Sequence, residues 1–595
     1  MKKEMTGYAS IDKPWLDHYT YDEINVVFPN MNMKQYLCQC NEFNLENTAI
    51  NYYGRKISYK ELFNKIEETK ISFSEMGIKK GDVVSLASPF IPEIVYSIYA
   101  LNDLGVIVNL VDPRVPSQTL LKYFNGSNSN YLVLFSAAYK KVEAIENQTD
   151  LKKIILVSAT DSLPIGMKCL GKIKEKFKEE RIINEKCIKW SEFTKLNKDK
   201  NIIKESVYEE GKPAIIVYTS GTSGEPKGAI ATNETYNNIA VSQSISLMDT
   251  KVGDKFLLIM PPFIAYGLAI GLHGQLCRGQ ELIMVPSFNI DNQKEMLGNL
   301  VYKYRPQTIM GVPTFMVDLI EHPKMQNLNC EFLKTVIVGG DSMIKSSEDR
   351  VNEFLAAKRS EARVCKGWGL TEVNSAFSYT KDKNTNRLGS VGIPLIGNQI
   401  KIVKPVDSDE IDFDSLEEVK YDEVGEIFIN SKSVIYDYLN NPEESKRVFF
   451  YSKKTGEKWV RTKDLGRISE DGNIYIDGRM KRIIIRPDGH NISPFAIENI
   501  INNCDKVEAC AVVGTPSVNH EHGEYATAYI QLKEEHVKNQ KEILLELRKE
   551  VERLLPTRDV ANEYKVIDEL PLTNIGKVDY KYLQEQERKL VLKKQ

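Results

Sequence analysis

The string YTSGTSGEPKG, residues 218–228, follows directly on the apolar run AIIVY. Gly221, Gly224 and Gly228 let backbone amides approach phosphate oxygens. Thr219, Ser220, Thr222 and Ser223 add hydroxyl donors, and Lys227 supplies a cation. Such residues cradle a polyphosphate; on these residues alone the alternative is a flexible Gly/Ser loop. A Walker-type P-loop needs Ser or Thr after its lysine to hold magnesium, and Gly228 stands there instead. That departure points away from P-loop kinases and ATPases.

Further strings follow in order: GWGLTE (367–372), WVRTKDLG (459–466), GRMKRIII (478–485), GHNISPFAIE (489–498) and PLTNIGKVD (571–579). With the phosphate string they resemble the motifs of the adenylate-forming (AMP-binding) superfamily of acyl-CoA synthetases, luciferases and peptide-synthetase adenylation domains. Weaker echoes are ISYKEL near 57, LNDLGVIVNLVDPRVP near 101 and GEIFINSKSVIYDYLNNPEES near 425. The resemblance covers nearly the whole chain. It implies that Trp368, with Gly369 beside it, stacks on adenine, that Gly339, Gly340 and Asp341 wall the nucleotide pocket, and that Asp464 takes the ribose hydroxyls. It further implies that Thr371 reaches the α-phosphate, Glu372 holds Mg²⁺, Arg479 lies near the ribose, and Lys577 is the catalytic cation. Lys481, in GRMKR, falls at the family's hinge.

The chemistry agrees. A free carboxylate is a poor acyl donor because its leaving group would be oxide. Attack on the α-phosphorus of ATP makes a mixed anhydride and releases pyrophosphate, after which a thiol displaces AMP. An anion must meet a polyanion, so catalysis consists mainly of positioning and charge neutralisation. The reading is ATP-dependent activation of a carboxylic acid followed by thioester formation with coenzyme A. One alternative is loading of the phosphopantetheine arm of a separate carrier protein; another is a catalytically silent nucleotide-binding relative. Lys227, Glu372, Asp464 and Lys577 together argue against silence.

Where peptide-synthetase relatives carry an aspartate for an α-amino group, this chain reads PPFIAYGLAIGL (261–272), without an acid. An amino-acid substrate is disfavoured. Ile264, Ala265, Tyr266, Val312 and Phe315, with small Gly267, Gly311 and Gly340, suit a fatty or aryl carboxylate. Three departures concern local geometry: Lys463 where the family commonly has Gly, Lys366 near the adenine position, and RPDGHN one residue longer than the common junction. His520 and His522, like Cys38 and Cys40, lack the further ligands of a metal site.

These residues need elements to hold them. Ser58 and Glu61 have capping-box spacing before Leu62, Phe63, Ile66 and Phe73, with Gly77 where a helix would stop. DVVSLA reads as a strand, residues 94–104 as a helix and 106–111 as a strand. AIIVYT, FLLIM, ELIMV and TVIVGG are apolar runs without alternation, which suit strands buried on both faces of a parallel sheet. The stretches 172–204 and 407–423, rich in charge, read as surface excursions. Strands near 509–513 and 526–532 and a helix over 541–555 mark a smaller C-terminal unit.

At 595 residues the chain exceeds what one core organises. The expectation is an α/β N-terminal AMP-binding domain over 1–480, with parallel-rich sheets, and a mobile C-terminal α+β lid over 481–595. Apolar content of 42% and charged content of 27% are those of a globular protein. A net charge of −3 offers no field for nucleic acid. No apolar run approaches the roughly 20 residues of a membrane span. The N-terminus lacks a signal-peptide core, and nine scattered cysteines form no disulfide framework, so the expected compartment is the cytoplasm.

Overall fold

The helix at Tyr59–Glu75 shows how local signals set the scaffold. Ser58 Oγ accepts from the Glu61 amide at 3.1 Å, but the expected return bond is replaced: the Glu61 carboxylate takes Arg55 Nη2 at 2.9 Å, a stronger, charge-assisted partner. Gly77 ends the helix at φ +83°, while Ile78 N–H reaches back to Phe73 O at 3.1 Å. A side chain at Gly77 would be strained in that left-handed conformation.

The computed structural model describes residues 5–164, 167, 184–196, 206–219, 226–246, 250–286, 293–488, 490–516, 523–573 and 577–594. One sheet runs in the spatial order 437–438, 228–232, 213–218, 107–110, 83–87, 131–135, 153–157, 187–189. It is parallel from Pro213–Tyr218 to Cys187–Lys189, whereas Gly228–Thr232 returns antiparallel to Pro213–Tyr218. The phosphate string is therefore the connection of a hairpin. A second sheet centres on the parallel strands Lys255–Leu258, Thr308–Gly311, Thr335–Val338 and Val364–Trp368. The antiparallel strands Gln399–Val403, Gly425–Asn430, Lys458–Ile468 and Ile474–Arg479 form a third. Each apolar run read as a buried strand lies in one of the first two sheets.

A large apolar core joins buried residues from Ala9 to Ile474; a separate one joins Ile484 to Ala561. The second lies among Val507–Pro516, Glu524–Leu532 and Glu563–Val566, with helices Pro494–Asn502 and Gln540–Leu554. Both charged stretches read as surface excursions are corrected in part. Cys187–Lys189 forms an edge strand, and Phe193 is buried with its ring centroid 4.8 Å from that of Phe73. In the acidic stretch Phe413 stacks on Trp459 at 5.0 Å, and buried Arg461 donates to the carbonyl of Ser408. In each case a few aromatic or backbone anchors outweigh the charge of their neighbours. Among the described residues no helix is long and apolar enough to cross a membrane.

Candidate active site

Val338 and Lys366 are register partners on parallel strands, so Gly339–Gly340 and the segment following Trp368 emerge together at the strands' carboxyl ends. Open α/β sheets bind ligands there. The backbone is tight: a Cβ on Gly369 would stand 1.7 Å from Ser375 O, and Gly340 holds φ +83°. Trp368 packs edge-on against Phe377, with centroids 5.6 Å apart, and its indole Nε1 donates to Asp464 Oδ2 at 3.1 Å.

Antiparallel register places Asp464 opposite Arg479. The Asp464 carboxylate is buried. Arg479 Nε lies 2.7 Å from Oδ1 as an ion pair. Burial raises the Asp464 pKa, while Arg479, Trp368 and Lys577 counteract part of that rise. Trp368 and Arg479, which hold this carboxylate, line the site's cavity; Asp464 itself does not.

A cavity of about 290 Å³ connects this end with an apolar one. Trp368, Gly369, Thr371, Glu372, Arg479 and Lys577 line the polar end, and Ile264, Ala265, Tyr266 and Val312 line the apolar end, with Gly339 and Gly340 between. Lys577 arrives from the C-terminal part. Its N–H donates to Thr573 Oγ1 at 3.2 Å and its carbonyl accepts from Thr573 N–H at 2.7 Å. A Cβ added to Gly340 would lie 3.9 Å from Lys577 Cε. Burial lowers the Lys577 pKa; Asp341 and Asp464 oppose that, and Arg479 adds to it.

Thr219 and Lys227 line the same cavity and tie the ends of the phosphate string, with Thr219 N–H donating to Lys227 O at 2.9 Å. Ser220, Gly221, Thr222, Ser223 and Gly224 lie outside the described residues, as do His520 and His522. Lys227 Nζ pairs with Glu444 and sits 5.4 Å from the Tyr438 ring centroid. The Tyr438 hydroxyl donates to Glu372. Burial, then the Glu372 charge, holds this phenol far above its ordinary pKa, so it remains a donor. Tyr438 and Glu444 were missed from sequence, although both fall within the weak echo near 425.

Several candidates stand elsewhere. Gly267 is packed where a Cβ would be 2.0 Å from Pro261 O, and a Cβ on Gly311 would meet Phe315 and Met316 at 3.0 Å. Phe315 is buried in the core; none of these three lines the cavity. Asp341 is exposed and its carboxylate accepts from Ser342 N–H. Lys481 occupies the short 3₁₀ turn Met480–Arg482 after the strand Ile474–Arg479.

The departures find local explanations. Lys366 turns to Glu348, at 2.6 and 2.8 Å, and to Arg387 O at 2.9 Å, away from the cavity lining. Lys463 adopts φ +58°, in the left-handed region where glycine is at ease, and its Nζ reaches Asp409 at 3.0 Å. RPDGHN leads from the strand Ile484–Ile485 into its antiparallel partner Asn491–Ile492, with Gly489 outside the described residues.

A cleft at the carboxyl ends of parallel strands, polar at one end and apolar at the other, with a lysine delivered by a second part of the chain, defines an adenylate-forming fold. The chain belongs to the AMP-binding enzyme family: that family's model matches residues 38–439, and the model of the AMP-binding enzyme C-terminal domain matches residues 496–577. It is 26% identical over 583 residues to a long-chain-fatty-acid–CoA ligase of Bacillus subtilis (strain 168), covering 97% of this chain and 98% of that protein. It is 26% identical over 532 residues to peroxisomal OPC-8:0-CoA ligase 1 of Arabidopsis thaliana, covering 88% and 87%. The ATP-bound crystal structure of MatB from Rhodopseudomonas palustris superposes with a TM-score of 0.77 at 20% identity, covering 94% of this chain and 100% of that one.

Proposed function

We propose that this enzyme couples ATP to a fatty or aryl carboxylic acid, forming an acyl-adenylate, and then transfers the acyl group to the thiol of coenzyme A. The observation that carries the reading is the convergence of Lys577 with Trp368, Thr371, Glu372 and Arg479 on a cavity whose other end is apolar. Full-length similarity to CoA ligases supports it.

In the first half-reaction a carboxylate oxygen attacks the α-phosphorus and pyrophosphate leaves. Trp368 offers adenine a ring face, Asp464 accepts from the ribose hydroxyls, and Thr371 donates to the α-phosphate. Lys577 neutralises charge where the two anions meet. In the second, the thiol attacks the acyl carbon, its proton passes to solvent and AMP leaves. The hard oxygen of Glu372, with the hydroxyls of Thr371 and Thr219 nearby in the lining, fits Mg²⁺, a cation that takes few protein carboxylates and completes its shell with phosphate and water. Bound there, Mg²⁺ would offset phosphate charge.

Lys577 and the incoming thiol need the same space. We therefore assign residues 1–480 and 481–595 as two domains that pivot at Lys481, and place the enzyme in the cytoplasm, where ATP and free thiols are available. A panel of carboxylic acids scored by pyrophosphate release, with CoA, a phosphopantetheinyl carrier protein or no acceptor, tests the reading. Release dependent on acid, and thioester formed only with CoA, is expected. Absence of acid-dependent release across the panel would overturn it, and thioester formed only on the carrier protein would replace the acceptor.

A further inference from the structure

Asp341, expected to wall the nucleotide pocket, stands at another place. It follows Gly340 after the strand Thr335–Val338, is exposed, and does not line the cavity. Facing it is the C-terminal part of the chain. On one side of Asp341, a Cβ added to Gly340 would lie 3.9 Å from Lys577 Cε. On the other, Ser346 Oγ donates to Asn502 O at 3.1 Å, which joins the helix Lys345–Ala357 to the end of the helix Pro494–Asn502. Asp341 lies on the stretch of chain between these two contacts.

The groups on which the Asp341 charge acts from that side are Lys577, Arg482, Glu498 and Tyr580. The last three form one cluster: Arg482 donates to Glu498, and its Cζ lies 3.7 Å from the Tyr580 ring centroid. Tyr580 starts the helix Tyr580–Lys594 shortly after Lys577. Glu498 repels Asp341 but has Arg482 against it, so the balance that Asp341 meets is positive. Burial is the largest influence on Lys577 and lowers its pKa. Among the charges Asp341 comes first and raises it, ahead of Arg479, which lowers it, and Asp464, which raises it.

Strength matters here as much as sign. A buried ion pair across the junction would be costly to break, whereas on the reading above Lys577 must leave before the thiol arrives. An exposed carboxylate attracts through water, is screened by salt and contributes little. Such a force biases a docked pose without locking it.

We infer that Asp341 is a positioning residue that draws the C-terminal part into the adenylating pose, acting through Lys577 and Arg482. This rests on the acid-activating, two-domain reading above and adds to it a residue outside the cavity. The test compares Asp341→Asn and Asp341→Glu with wild type, by acid-dependent pyrophosphate exchange across pH and by thioester formation from separately prepared acyl-adenylate. In Asp341→Asn, exchange at neutral pH should fall about two- to fivefold, the scale of an exposed ion pair, while thioester formation is spared. The alkaline limb of exchange should move to lower pH, because burial and Arg479 then favour neutral Lys577 with Asp464 left to oppose them. Asp341→Glu should restore both. The limb is internal to each variant, so loss of folded protein does not move it. A limb at the same pH in Asp341→Asn and wild type, or equal loss in both half-reactions, would overturn the inference while leaving acid activation intact. No exchange by wild type with any acid would instead remove the reading on which it rests.

Discussion

Replacing Lys577 by alanine removes the cation that the C-terminal part brings to the cavity. Two unit charges about 4 Å apart interact by roughly 1 kcal/mol in water and roughly 4 kcal/mol at the effective dielectric of about 20 that suits protein sites. Lys577 belongs nearer the second limit, since desolvation is the largest influence on its lowered pKa. A loss of about 3–4 kcal/mol corresponds to roughly 10²- to 10³-fold in rate, the scale found when one stabilising donor is removed from a developing oxyanion. The loss should fall on adenylation, followed by pyrophosphate exchange, and largely spare thioester formation from separately prepared acyl-adenylate. The lowered pKa adds a second reading. The ammonium loses its proton as pH rises, so adenylation should decline at a lower pH than an ordinary lysine, near 10.4, would set. In Lys577→Arg, whose guanidinium stays charged, that alkaline limb should move beyond the measurable range. Wild-type adenylation by Lys577→Ala would refute the assignment.

Glu372→Gln keeps shape but removes an anionic oxygen, so adenylation should require much more Mg²⁺; an unchanged magnesium titration would assign the metal elsewhere. Lys481→Pro fixes φ near −65° in the turn joining the two parts, and should spare adenylation while slowing thioester formation; equal small effects on both would place the hinge elsewhere. Burial, followed by the charge of Asp161, pushes the Glu93 carboxyl up from 4.5 to about 7, a difference of about 3 kcal/mol between protonation states. For an acid so raised, its ionisation costs nothing below the unfolded pKa and progressively destabilises the fold as pH rises through 7. Thermal unfolding of Glu93→Gln should therefore lose less stability than wild type between pH 5 and 8, and parallel curves would contradict that.

Legibility in the sequence followed the range of the interactions. Strands such as Thr335–Val338 and Lys255–Leu258 were readable because burial on both faces demands apolar residues in a row. The motif strings led to residues that share one cavity lining, Trp368, Thr371, Glu372, Arg479 and Lys577 among them. The acyl end was less readable: Gly267 and Gly311 look like pocket floor in one dimension, yet their missing Cβ atoms admit Pro261 O and the Phe315 side chain. Smallness alone does not say whether a glycine makes room for ligand or for protein.

The cations around the cavity divide into two kinds, and the division explains why residue type was an incomplete guide. Arg461 is buried against Glu426, at 2.5 and 3.1 Å, and carries two backbone carbonyls besides; Lys366 is enclosed by Glu348 and Arg387 O. Removing either would strand a buried carboxylate, so both act as fixed struts, whatever their distance from the nucleotide. Arg461 lines the cavity as well, but Lys227 beside Glu444 and Arg479 beside Asp464 are less enclosed, their side chains being 22% and 44% exposed against 2% for Arg461. On the proposed reading, a polyphosphate arriving at Lys227 would compete with Glu444 for the same ammonium, and the ribose would approach the carboxylate that Arg479 faces. These pairs keep the charges compensated before ligand arrives, and what the ligand gains is the difference between its own contacts and the ion pairs it loosens. On that reading, affinity for ATP depends on Glu444 and Asp464 as well as on the cations.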